Sequence, residues 1–101
     1  VKVRVIEWDS DNEAHFAEHG RATREQIEDI LSARYCPTRA AFDGTVRGEK
    51  RYRFEGETRH GWFLVVIAAK SAAGVWRPVT CWPLRGSRLG AYSAWRRAVG
   101  Q

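Results

Sequence analysis

The spacing of hydrophobic positions changes along the chain, and each change predicts a different element. Val1, Val3 and Val5 alternate with Lys2, Arg4 and Ile6 and the run ends at Trp8, which predicts a half-buried strand over 2–8. Asp9 or Ser10 can accept from the free N–H groups of a first helical turn, and Asp11 and Glu13 suit its positive end. A short helix is therefore expected from about Asp11 to His19, with Gly20 placed for a left-handed closing residue. Thr23-Arg24-Glu25-Gln26 has the form of a capping box and starts a second helix at Arg24. Its Ile27, Ile30 and Leu31 recur at the spacing of one buried face, and Pro37 closes the segment.

Beyond residue 50 the period falls to two. Tyr52 and Phe54 point one way, Arg51, Arg53 and Glu55 the other, and Gly56 to Gly61 reads as a turn. Trp62 to Ala69 is continuously apolar, the mark of a central strand covered on both faces, with residues of the two helices as cover. Ser71 to Gly74 turns the chain into Val75–Trp82, where Pro78 cannot donate to a ladder and implies a bulge or one open side. Ser87 is expected to cap a last helix from Arg88 to about Ala98, with Leu89, Tyr92, Trp95 and Val99 near one face. The order is β-α-α-β-β-β-α, with room for one more short strand near Thr38 to Asp43. This is an α+β fold, helices packed on a small antiparallel sheet. The length of 101 residues gives a single domain, 1–101.

Composition excludes several classes. The longest apolar run has eight residues, far short of the roughly 20 a membrane helix needs, so no membrane partner is expected. Cys36 and Cys81 lie 45 positions apart, too sparse for a disulfide scaffold or a zinc site, which points to the reduced cytoplasm. Charge adds the first functional hint. Residues 1–34 carry net −3 and residues 35–101 net +8, and from Arg77 onward there are five arginines and no acid. A polyanionic partner such as RNA or DNA follows from that imbalance.

No glycine-rich phosphate loop, HExxH or GxSxG occurs. His15 and His19 share a helical face but have no third ligand at a recognisable spacing, so neither a metal nor a cofactor is expected. Arg51, Arg53 and Arg77 could meet across the sheet if the registers allow, while Arg85, Arg88 and Tyr92 follow the last strand. Such a set suits RNA cleavage by the ribose 2′-OH, which needs a base, cationic groups for the phosphate and an acid for the leaving 5′-oxygen. Arginine supplies charge, His60 or Tyr92 could move protons, and Glu49 or Glu55 could act as base if desolvated. Lys50 and Arg96 extend the basic surface. Trp8, Trp62 and Trp95 read as core or interface. Trp76 and Trp82, expected on one face of a strand, read as stacking or partner-contact residues.

In order, Glu7-Trp8-Asp9, Asn12, His15, His19-Gly20, the capped helix with Glu25 and Ile27-Glu28, Gly48-Glu49-Lys50-Arg51-Tyr52, Gly56-Glu57-Thr58, Leu64-Val65-Val66 and Arg77-Pro78-Val79-Thr80 precede a basic final helix. Over nearly the whole chain this pattern resembles the BrnT family of bacterial toxins. The resemblance implies a RelE-like fold and a metal-independent endoribonuclease of mRNA-interferase type within a type II toxin–antitoxin system. It implies RNA as substrate, ribosome-associated mRNA included, and a cognate antitoxin as protein partner; a homodimer is left open. By position it carries the phosphate-binding role to Arg77, Arg85 and Arg88, then to Lys50 and Arg51. The chain departs from the family in having Thr80-Cys81-Trp82 for Thr-Ala-Arg, and Leu89-Gly90 for a Glu-Arg pair. The alternatives are a non-catalytic nucleic-acid-binding domain and a protein-interaction domain that docks through Trp76, Pro78 and Trp82.

Overall fold

The computed structural model describes residues 2–19 and 22–100. The place of Val1 in the alternation and the closing role of Gly20 lie outside the described residues, as does the His19 side chain. Two reciprocal caps build the N-terminal helices. Before α1 (Ser10–His19), Asn12 N–H donates to Asp9 Oδ1 at 2.9 Å and Asp9 N–H donates to Asn12 Oδ1 at 2.8 Å. Before α2 (Arg24–Ser32), Gln26 N–H donates to Thr23 Oγ1 and Thr23 N–H donates to Gln26 Oε1, the capping box read from the sequence. Ala33, left-handed at φ 51°, ends α2 with its N–H on the Ile30 carbonyl.

The remaining elements are β1 (Val5–Ile6), β2 (Arg39–Val46), β3 (Glu49–Glu57), β4 (Phe63–Ala72), β5 (Val75–Pro83) and α3 (Gly86–Val99). They complete an α+β fold around one sheet of order β1-β5-β4-β3-β2. The β2–β3, β3–β4 and β4–β5 pairs are antiparallel, but β1 runs parallel to β5, so the sheet is mixed rather than antiparallel throughout. β1 is also shorter than 2–8. Before it the chain is held without ladder pairing, the Gly74 carbonyl accepting from Arg4 and Val5, the Lys2 carbonyl accepting from Trp76 Nε1 and Val3 packing on the core, and after Glu7 the backbone is drawn into the α1 cap.

The added strand, β2, is longer than Thr38 to Asp43 and gives the order β-α-α-β-β-β-β-α. It joins β3 through Arg47 and Gly48, both at positive φ, the backbone a two-residue hairpin demands. Gly56 is not a turn residue: β3 runs through it to Glu57, with Thr38 Oγ1 and Ile30 Cδ1 standing where its Cβ would be. Pro78 does mark a bulge, since Ile67 pairs with Thr80 and Ala68 with Pro78, leaving Val79 extra.

β4 is covered on both sides, by α1 and α2 on one face as the sequence suggests and by α3 on the other. Phe16 of α1 and Ile27, Ile30 and Leu31 of α2 pack on Phe54, Leu64, Val66, Trp76 and Cys81. On the opposite face Tyr92, Leu89 and Trp95 of α3 pack on Val65, Ile67, Val79 and Trp82. α3 crosses only one end of that face. Ser87 does not cap it; Arg85 is the N-cap residue, without a side-chain hydrogen bond.

Candidate nucleic-acid interface

Alternation along β3 aims Arg51, Arg53 and Glu55 away from the α1–α2 layer, because Tyr52 and Phe54 belong to that layer's core. Register then carries the pattern across the sheet. Arg51 lies opposite Ala69, which lies opposite Arg77; Arg53 lies between Ala41 and Ile67; Glu55 lies between Arg39 and Val65. Small and aliphatic residues thus form the floor on which Arg39, Arg51, Arg53 and Arg77 stand, and Arg88 enters from α3. A groove of about 500 Å³ opens between strand and helix, lined by Arg39, Arg53, Glu55, Ser87, Arg88 and Ala91.

Glu55 is at its base, only 5% exposed. Its Oε2 lies 3.7 Å from Arg53 Nε and 3.8 Å from Arg88 Nη1, close enough for ion pairing and too far for hydrogen bonds. Neither guanidinium therefore occupies the carboxylate lone pair with a hydrogen bond. Arg53 Nη1 reaches Asp43 Oδ1 at 3.2 Å and Arg51 Nη2 approaches Glu49 Oε1 at 3.6 Å. The Nε atoms of Arg51 and Arg53 are buried with no hydrogen-bond partner among the described residues, and no ion pair to Arg39 forms among them. Donors exceed acceptors here, which is the chemistry of an anion site. At the far edge Arg77 Nε donates to Asp9 Oδ2 at 3.0 Å. That bond lowers the Asp9 carboxyl pKa and raises that of the guanidinium.

The face gathers Glu49, Arg51, Arg53, Glu55, Arg77 and Arg88 from the sequence-predicted set. Others stand elsewhere. Tyr92 is 0% exposed and its hydroxyl donates to the Pro37 carbonyl at 2.6 Å; burial raises its pKa. It is a packing residue beneath α3, not an accessible proton carrier. His60 sits in the exposed β3–β4 turn, which is tied towards α2 by Arg59, whose Nη2 lies 2.7 Å from Oδ1 of the buried Asp29. Arg96 pairs with Glu57. Lys50 falls on the alternate side of β3 from Arg51. Arg85 borders a separate groove with Gln26, Trp62 and Pro83.

Two tryptophan expectations are overturned. Trp76 is 1% exposed in the α1–α2 core, so its ring is not open for stacking, and the Val79 bulge sends Trp82 to the opposite face, half-buried against α3. With Pro78 buried as well, a Trp76–Pro78–Trp82 docking face does not form. Trp62, read as core or interface, is 63% exposed and so is not a core residue. Arg39 escapes sequence reasoning because its orientation depends on β2, whose extent the alternation does not reveal. Among the described residues no group of three His, Cys, Asp or Glu side chains is placed to hold a metal ion, and no helix is long and apolar enough to cross a membrane. No protein-family model, curated protein or solved structure matches the chain.

Proposed function

We propose that the chain is an RNA-cleaving toxin of BrnT type with a RelE-like fold, acting in the cytoplasm and neutralised by a cognate antitoxin. The observation that carries this reading is a nearly buried carboxylate, Glu55, at the base of a groove whose walls are arginine. In this reaction a ribose 2′-OH gives its proton to Glu55 and its oxygen attacks the adjacent phosphorus. Arg39, Arg53 and Arg88 hold the charge that grows on the phosphate oxygens. The bond to the 5′-oxygen breaks, and that oxygen takes a proton from water at the groove mouth. The products are a 2′,3′-cyclic phosphate and a 5′-hydroxyl end. Arg51 and Arg77 bind the neighbouring backbone.

The test is cleavage of labelled RNA by purified protein in chelator. Wild type is expected to cut, while Glu55→Gln is expected to cut at least about 100-fold more slowly with RNA affinity retained. Equal rates would remove Glu55 from the chemistry. A second reading, binding without cleavage, draws support from Trp82 and Leu89, which pack against the α3 core where the family has an arginine and an acid. It predicts affinity for RNA and no cut by wild type.

A further inference from the structure

We infer that the arginine groove recognises the phosphodiester backbone of a single strand and ignores its bases, so that single-stranded DNA occupies it as an uncleaved competitor of RNA. This rests on the reading of the groove as the RNA site and specifies what that site accepts. Its lining residues are arginine, glutamate, serine and alanine. Single-stranded bases are held mainly on aromatic faces and read at their edges. The aromatic residues around α3 are committed elsewhere: Tyr92 is buried, Phe63, Trp82 and Trp95 pack against its cluster, and Trp62 opens onto the separate groove beside Arg85.

Guanidinium forks match phosphate oxygens instead. Arg51 and Arg53 each carry a buried Nε without a hydrogen-bond partner among the described residues, though Arg53 Nε lies 3.7 Å from Glu55 Oε2, so both guanidinium groups keep donor capacity that suits an anion. These residues are two apart on one strand, a separation of about 6.8 Å, close to the repeat of phosphates along one extended nucleic-acid strand. A flexible strand can lower one nucleotide into the groove of about 500 Å³ that Glu55 lines, whereas a duplex would first have to unpair and unstack it. None of these contacts requires the 2′-OH. DNA therefore fits the same donors and lacks only the attacking hydroxyl.

The experiment measures fluorescence anisotropy with short oligonucleotides of equal length: uridine RNA, adenine RNA, thymidine DNA and a blunt RNA duplex. Glu55→Gln is used for the RNA isotherms and wild type for DNA and for cleavage in its presence. The single strands are expected to bind within about threefold of one another, and each to lose roughly 20- to 50-fold in affinity between about 50 and 200 mM salt, as three to four phosphate contacts imply. Thymidine DNA should inhibit RNA cleavage competitively and remain intact. Arg51→Ala with Arg53→Ala should weaken all single strands alike, with an unchanged circular dichroism spectrum. A preference of more than about tenfold among the RNA sequences, DNA that fails to compete, or equal affinity for the duplex would overturn the inference while leaving cleavage standing. Sequence-blind binding by a wild type that cuts nothing would support the inference and overturn the ribonuclease reading.

Discussion

Glu55 and Tyr92 show how environment assigns roles to residues with similar chemical promise. Both are almost wholly buried, yet Glu55 faces an open groove between two guanidinium groups beyond hydrogen-bond distance, whereas the Tyr92 hydroxyl is spent on the Pro37 carbonyl. The first can accept a proton from a bound molecule; the second ties α3 to the segment before β2. Removing the Tyr92 hydroxyl should therefore touch stability and not chemistry. Tyr92→Phe is expected to cost about 1 kcal/mol, read as a lower urea midpoint, with the RNA cleavage rate unchanged. A slowed reaction at unchanged stability would return Tyr92 to the site.

At the scale of elements, the groove exists because α2, β2 and β3 are locked together behind it. Thr38 Oγ1 donates to the Ile30 carbonyl at 2.6 Å and fills the space over Gly56, where a Cβ would lie 2.8 Å from that oxygen. Gly56→Ala should push Thr38 off Ile30 and cost about 1–3 kcal/mol, visible as a fall in thermal midpoint. An unchanged midpoint would mean that this contact is slack. The helices α1 and α2 were readable because caps and a 3.6-residue period are local signals. So was the outward aim of Arg51, Arg53 and Glu55, which needs only alternation. β2 was harder: its Ala, Asp and Gly residues have little strand preference, and it is defined by its pairing with β3. Arg39 went unassigned with it. The split between Trp76 and Trp82 follows from where the Val79 bulge falls, and the depth of Glu55 from where α3 crosses the sheet; both are tertiary facts.

Across the whole molecule, charge and layering agree. The acidic first third supplies β1 and the helices α1 and α2, which close one face of the sheet, while the basic remainder supplies β2 to β5 and the α3 that lies on the other. On that second face α3 packs over Val65, Ile67, Val79 and Trp82, and Arg39, Arg51, Arg53 and Arg77 stand on the strands beside it. Backbone cleavage at Glu55 is the central claim, and it is tested most directly by inducing wild type and Glu55→Gln in bacteria and mapping the 5′ ends of cellular RNA by their chemistry. Growth arrest with new 5′-hydroxyl ends in wild type, and their loss in a soluble, folded Glu55→Gln protein, is the expected result. Intact RNA in cells holding folded wild type, or the same new ends from Glu55→Gln, would contradict it.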